Sequence, residues 1–434
     1  MDFPALASRH AALDLLIACL DKGQPLDEAL ARHAGFAGLD PRDRAFVRLL
    51  LATTLRRLGE IDVVLAALVE RPLEGPNAAG RQVLRLGAAQ LLFLGTAPHA
   101  AVDTSVRLME DAHLPHLKGL ANAVLRRVGR EGVAILGDRD PARLNTPQWL
   151  WASWSEAYGE AATRAIAAAH LIEAPLDLTT RSDTDFWAGR LEAERLPTGT
   201  LRRTGGGHIA ELPGFAEGAW WVQDAAATLP VRLLGDVTGK RVADLCAAPG
   251  GKTMQLCAAG ANVTAVDISA RRMIRVGENL ARAGLAAELV TADASKWTPA
   301  EKFDAILLDA PCSGTGTLRR HPDIAWLKDE EDVGRLTLTQ DRLLLHAAEL
   351  LSPGGTLVYA VCSLQEDEGP ARIEALLARV PQLERLPVRP DELPGLADAL
   401  TAKGCVRTLP SMWPERGGLD GFYIARLTLR TGGP

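Results

Sequence analysis

The chain has 434 residues, 47% hydrophobic and 24% charged, and a formal charge of −6 from 48 Lys+Arg against 54 Asp+Glu. That mix excludes a disordered tail, a collagen-like fibre and a disulfide miniprotein. The acidic balance excludes a uniformly basic nucleic-acid coat protein, but not a local basic cleft. At ~100–200 residues per domain, the length predicts two to four domains. Cys19, Cys246, Cys257, Cys312, Cys362 and Cys405 are too few and too scattered for a disulfide framework. No CxxC pair and no HExxH spacing occurs, and the pair His113 and His116 lacks a third ligand, so no metal is expected. No apolar run approaches the ~18 residues of a membrane span. Asp2 and Asp14 interrupt what a signal peptide would need, so a cytoplasmic protein is expected.

Residues 1–140 predict helices alone. Apolar residues recur at spacings of three and four over 5–19, 41–58, 61–69, 80–93, 100–109 and 117–128. Gly23, Pro72, Gly75, Pro76, Pro98 and Pro115 punctuate them. Asp40 is placed to cap the helix that Pro41 opens. Residues 145–235 predict a small α+β connector, with short strands at 176–180 and 220–222. Trp149, Trp151 and Trp154 stand at one end of it, Trp220 and Trp221 near the other. Gly205, Gly206 and Gly207 mark a turn.

From 236 to 434 short apolar runs at 241–245, 263–267, 288–291, 303–309 and 356–362 alternate with helical stretches, notably 271–283 and 336–351. That alternation predicts a doubly wound, mostly parallel α/β sheet. A last run at 421–429 has no crossover helix before it and is expected to add antiparallel.

In such sheets ligands bind beyond the carboxyl ends of the strands. The first strand runs into Asp244-Leu-Cys-Ala-Ala-Pro-Gly-Gly-Lys-Thr253, where Gly250 and Gly251 let the backbone approach a ligand before a helix begins. It is neither GxGxxG nor a Walker loop. Asp267 follows Gly250 by seventeen residues, near the offset at which a carboxylate reaches ribose hydroxyls. Asp293 and Asp309 end the next two strands. One strand-end aspartate is often only a helix cap; four in order point to a nucleoside-containing cofactor, with S-adenosylmethionine and NAD both open. Cys312 and Cys362 lie just past the fourth and fifth strands, at the same edge as the glycine turn. A lone cysteine is most often buried and inert; two at this edge suggest chemistry.

Those segments carry a family resemblance. Leu308-Asp-Ala-Pro-Cys-Ser-Gly-Thr-Gly, followed by Arg319-Arg320-His321-Pro322-Asp323, resembles the fourth motif of RNA 5-methylcytosine methyltransferases. Asp244–Thr253 resembles their first motif and Val358–Ser363 their sixth, with Val361 where Thr is usual. The N-terminal part resembles a NusB-like domain through Ala97-Pro-His-Ala-Ala-Val102 and Leu117-Lys-Gly-Leu-Ala-Asn-Ala-Val-Leu-Arg126. The combination is similar to the Sun/RsmB-type 16S rRNA cytosine methyltransferases.

The resemblance implies three parts: an all-α NusB-like RNA-binding bundle (1–140), the connector (145–235) and a Rossmann-like class I methyltransferase domain (236–434). It implies S-adenosylmethionine as methyl donor, held by Cys246, Ala247, Ala248, Pro249, Gly250, Gly251, Lys252, Asp267, Asp293 and Asp309. It implies 16S rRNA as partner; the residues predict no membrane and no metal, and a monomer is the default expectation. Carbon 5 of cytosine is not nucleophilic until a thiolate adds at carbon 6, which explains a need for cysteine. By resemblance Cys362 is the nucleophile, Cys312 assists release and Asp309 contacts the ring. The reverse, with Cys312 as nucleophile, stays open, because DNA cytosine methyltransferases use the Pro-Cys of motif four. Arg319, Arg320 and His321 are expected to hold phosphates. Arg42, Arg44, Arg48, Arg56 and Arg57 are either further RNA contacts or one helix's wet face. Two other classes remain: an exocyclic-amine methyltransferase, which would carry an Asn/Asp-Pro-Pro-aromatic motif, and a non-catalytic NusB-like RNA-binding protein.

Overall fold

The computed structural model describes residues 3–205 and 208–431, so Gly206 and Gly207 of the expected turn lie outside the described residues. The chain divides into two compact units, Met1–Ile172 with Leu318–Lys328, and Glu173–Thr317 with Asp329–Pro434.

The first unit is helical: α1 (Phe3–Leu20), α2 (Leu26–Arg32), α3 (Ala34–Ala37), α4 (Pro41–Arg56), α5 (Leu58–Leu68), α6 (Ala78–Leu92), α7 (Pro98–Asp111) and α8 (Lys118–Leu136). Their apolar stripes meet in one core that includes Leu15, Leu16, Leu50, Leu51, Ile61, Val64 and Leu125. The Asp40 side chain accepts from the Asp43 N–H at 2.8 Å, and Pro41 occupies the first turn, as the sequence predicts. Helix α8 runs eight residues past the predicted end, and Gly132 in that extension lets it pack closely. A Cβ on Gly132 would lie 2.7 Å from Leu92 Cδ2.

Helices α9 (Pro141–Leu144), α10 (Gln148–Tyr158) and α11 (Glu160–His170) complete this stretch. The first tryptophan-rich segment is therefore a helix. Leu150, Trp151 and Trp154 form its buried face, and Trp154 packs on His170 with ring centroids 5.5 Å apart. Residues 318–328 join the same unit through polar ties. Trp326 Nε1 donates to the Leu55 carbonyl at 2.8 Å, the Leu26 N–H donates to Asp323 at 3.0 Å, and Arg56 donates to the Arg319 carbonyl at 2.9 Å.

The second unit opens with β1 (Leu176–Thr180), α12 (Thr184–Arg190), β2 (Glu194–Arg195), β3 (Leu201–Arg203) and β4 (Trp220–Val222), an antiparallel sheet in the order β2-β3-β1-β4. Buried Arg202 pairs with buried Asp177 at 2.7 Å. Their remaining hydrogen bonds are used as well: Arg202 donates to the carbonyls of Arg416 and Gly418, and Asp177 accepts from the Ala225 N–H. A buried ion pair needs such extra partners to offset its desolvation.

After α13 (Leu229–Arg232) comes the larger sheet. Its elements are β5 (Arg241–Leu245), α14 (Gly251–Ala258), β6 (Asn262–Asp267), α15 (Ala270–Ala283), β7 (Glu288–Thr291) and β8 (Phe303–Asp309). Next in the chain is α16 (Ile324–Leu327), which belongs to the first unit. Then follow α17 (Glu330–Leu350), β9 (Leu351–Val361), α18 (Pro370–Arg379), β10 (Leu383–Arg385), β11 (Val406–Thr408) and β12 (Phe422–Leu429). The order is β10-β12-β9-β8-β5-β6-β7, with β11 on β12. Strands β5 to β9 are parallel, and β12 is antiparallel to β9 as predicted. Helix α17 starts six residues before the predicted 336. An Asp329/Asp332 capping box nucleates it within a charged stretch that has no apolar period. The strand order reverses at β5, whose neighbours are β6 and β8. The loops after β5, β8 and β9 thus lie side by side at the carboxyl edge.

Candidate active site

The loop after β5 is shaped by its backbone. Cys246 has φ +66°, and Gly250 has φ +102° just before α14. A Cβ on Gly250 would also lie 3.2 Å from Val276. Only glycine combines that φ with that approach. Behind the loop Asp244 is fully buried and accepts from Thr253 Oγ1 at 2.6 Å. Its second oxygen, Oδ1, is buried without a hydrogen-bond partner among the described residues. Burial, opposed by the Thr253 hydrogen bond and reinforced by the charge of Asp309, raises its pKa from an ordinary 3.8 to about 7.

The folded state holds this proton more tightly than the unfolded chain, so Asp244 costs stability increasingly as pH rises from about 4 to about 7. Asp244→Asn should therefore gain on wild type across that interval and hold its gain above it. Urea midpoints measured at several pH values check this; a difference that does not change with pH contradicts it.

At the end of β6, Asp267 is 2% exposed and accepts from the N–H groups of Ala248 (3.2 Å) and Ser269 (2.9 Å). Arg272 lies 3.6 Å from the same carboxylate. Asp293, beyond β7, accepts from the Ser295 hydroxyl (2.7 Å) and N–H (3.0 Å), which lower its pKa. A buried orphan acceptor, a glycine turn and a strand-end carboxylate suit a nucleoside cofactor carrying an amino acid part. Cys246, Ala247, Ala248, Pro249, Gly250, Gly251 and Lys252 form the turn itself.

The reactive side chains meet where β5, β8 and β9 end. Lys252 Nζ lies 2.7 Å from Asp309 Oδ2. Burial pulls the Lys252 pKa down, but the charge and hydrogen bond of Asp309, with smaller contributions from Cys362 and Asp244, outweigh it, and the ammonium is favoured. The sulfurs of Cys312 and Cys362 are 3.4 Å apart. The Cys312 thiol is pushed well up, first by its hydrogen bond to Cys362, then by burial and by the charges of Cys362 and Glu368. The protonated form of Cys312 is thus favoured. Cys246 is also pushed up, by burial and three aspartates, which makes it inert.

One residue beside the two cysteines escaped the sequence reading. Glu368 is fully buried and collects four donors: the Ser313 N–H (2.9 Å), Ser313 Oγ (2.5 Å), Ser363 Oγ (2.5 Å) and Gln340 Nε2 (3.0 Å). It stands in Gln365-Glu-Asp-Glu368, which reads as a solvated charge run. Only the paired serines after each cysteine, Ser313 and Ser363, hint at a shared acceptor.

The expected phosphate contacts divide. Arg320 is exposed. His321 Nδ1 pairs with Asp27 at 3.3 Å. Arg319 is 1% exposed, so its guanidinium does not face solvent where a phosphate would arrive, a correction to the expected trio. The reason is local: residues 318–328 fold into the helical unit and carry Arg319 inside. Of the arginines in and after α4, Arg42 and Arg48 are exposed, while Arg57 pairs with Glu60 at 3.0 Å. Among the described residues no cluster of His, Cys, Asp or Glu is arranged to hold a metal ion, and no helix is long and apolar enough to cross a membrane.

Comparison with known proteins agrees with this geometry. Residues 231–428 match the family described as 16S rRNA methyltransferase RsmB/F, and residues 6–130 match the NusB family. The chain is 35% identical to ribosomal RNA small subunit methyltransferase B of Klebsiella pneumoniae (strain 342), over 97% of this chain and 98% of that one. The protein of the same name from Pseudomonas putida is 36% identical, over 96% and 98%. Among solved structures, PH0851 superposes with a TM-score of 0.77 over 99% of both chains at 22% identity, a likeness of fold. A methyltransferase homolog from Pyrococcus horikoshii gives 0.55 at 27% identity, over 64% of this chain and 93% of that one. The chain belongs to the RsmB/F family of S-adenosylmethionine-dependent 16S rRNA methyltransferases, and carries a NusB-family domain before the methyltransferase domain.

Proposed function

We propose that this protein methylates carbon 5 of a specific cytosine in 16S rRNA, through a covalent bond between Cys362 and the base. The observation that carries the proposal is the sulfur pair, 3.4 Å apart, next to an ammonium and a carboxylate. When bound, S-adenosylmethionine supplies an electrophilic methyl group. Asp267 is assigned to its ribose hydroxyls, Asp293 to the adenine side, and the turn from Cys246 to Lys252 to the rest.

Cys362 sulfur forms a bond to carbon 6 of the flipped-out base, and electron density moves to carbon 5, which then accepts the methyl group. Asp309 holds the ring near N3. Solvent water takes the hydrogen at carbon 5 as a proton, the carbon–hydrogen electron pair restores the carbon 5–carbon 6 double bond and expels the Cys362 sulfur as thiolate, and Cys312 assists this release. Lys252 holds Asp309 in place and its positive charge favours a thiolate beside it. An amine-directed enzyme has no use for a second thiol at this place.

Residues 1–140 are assigned to RNA binding, 145–235 to the connector and 236–434 to catalysis, in a cytoplasmic monomer. Exposed Arg320, Arg42 and Arg48 are the proposed phosphate contacts. RNA affinity should fall with added salt.

The test offers tritiated S-adenosylmethionine and protein-free small-subunit rRNA, then digests the RNA to nucleosides. Label is expected in 5-methylcytidine; label in an N-methylated nucleoside would overturn the reading. Lys252→Met provides a second check. Alkylation of Cys362 by iodoacetamide at neutral pH is expected to slow, because the attacking sulfur loses a neighbouring positive charge. An unchanged rate would remove Lys252 from this role.

A further inference from the structure

We propose that Glu368 is a positioning residue that sets the distance between the two cysteines. Cys312 and Cys362 stand on separate loops, fifty residues apart in the chain. The residue after each is a serine, and both serine hydroxyls donate to the same oxygen of Glu368 at 2.5 Å. The other oxygen takes the Ser313 N–H and Gln340 Nε2. Gln340 also donates to the Pro311 carbonyl at 2.9 Å, so the carboxylate braces the Cys312 loop from both sides of the cysteine. Tyr359 donates to the Glu368 carbonyl at 2.6 Å and ties this residue to β9.

Every atom approaching the carboxylate is a donor, which suits an ionised, acceptor-only group. An amide offers one acceptor and turns two N–H donors toward some of these partners. The Cys362 loop has a further tie from a third segment: the Ser363 carbonyl accepts from Arg407 at 2.6 Å. Glu368→Gln should therefore release the Cys312 loop first. The proposal rests on the reading of Cys312 and Cys362 as the working pair, so its test includes a measurement that does not depend on turnover.

Wild type, Glu368→Gln and Ser363→Ala are treated with diamide, which takes up the two thiol hydrogens as the sulfurs join. The Cys312–Cys362 disulfide is followed by peptide mass spectrometry. Glu368→Gln is expected to cross-link at least about tenfold more slowly, the scale of an ångström-sized misplacement, while still melting cooperatively and binding S-adenosylmethionine. With rRNA it should build up a covalent RNA–protein adduct, because release is slowed more than methyl transfer. A merely weakened fold would lower both steps together and leave no adduct. Cross-linking at the wild-type rate overturns the proposal. If Glu368→Gln does not fold, Ser363→Ala decides: it loses one donor, and intermediate slowing supports the proposal whereas none refutes it. If wild type methylates no RNA but the cross-linking difference persists, positioning stands and the functional reading fails.

Discussion

Cys362→Ala is expected to lose methyl transfer by at least about 10⁴-fold, the scale seen when a covalent nucleophile is removed. Cys362 directly follows the parallel strand β9, and its sulfur sits with Cys312 and near the Lys252 ammonium. Alanine removes one sulfur atom and leaves the ties of the loop intact, since these run through the Cys362 carbonyl, Ser363 and Leu364. Affinity for S-adenosylmethionine, measured by calorimetry, should stay within about threefold of wild type, because context effects of that size are common. Loss of cofactor binding together with activity would mean that the variant had disturbed the whole edge, and the assignment would need another test.

The second large effect is structural. Gly316→Ala should lower the melting temperature on the order of 10 °C, as a backbone clash costing several kcal/mol would. A Cβ on Gly316 would fall 1.9 Å from the Gly421 carbonyl oxygen. Two backbones meet there with no side chain able to move away. The Gly316 N–H donates to the Cys362 carbonyl at 3.0 Å, and the Gly316 carbonyl accepts from the Gly421 N–H at 2.8 Å. An added methyl must therefore separate the Cys312 loop from the start of β12 and break a bond that holds Cys362. Gly119→Ala serves as the contrast. It lies in α8, where an added Cβ would meet nothing within 4 Å, and alanine there should be neutral or slightly stabilising. Thermal unfolding of the two variants side by side checks the pair. Equal melting temperatures would contradict the packing described.

Much of this was legible in the sequence because strand ends carry the chemistry. Asp244, Asp267, Asp309, Cys312 and Cys362 lie at or just past the ends of short apolar runs, and those runs located the strands to within a residue, except that β9 begins at Leu351, five residues before the predicted 356. Features that depend on distant partners were not legible. Lys252 and Asp309 are 57 residues apart, and nothing local announces their pairing. Glu368 lies in a charged run, and its burial is decided by Ser313, Gln340 and Ser363 from three other segments. Arg319 reads as a basic surface residue, but the Arg56 and Trp326 ties of its segment fold it inward. The tryptophans of α10 favour strand by propensity, yet their spacing of three builds a helix face. For Glu368 and Arg319, tertiary context overrode the local signal.

The most direct test of the covalent mechanism compares wild type, Cys312→Ala and Cys362→Ala, each incubated with S-adenosylmethionine and protein-free small-subunit rRNA and run on a denaturing gel. The mechanism predicts a slowly migrating RNA–protein band that accumulates with Cys312→Ala and is absent with Cys362→Ala. A band that forms with Cys362→Ala and not with Cys312→Ala would contradict it, and would make Cys312 the nucleophile.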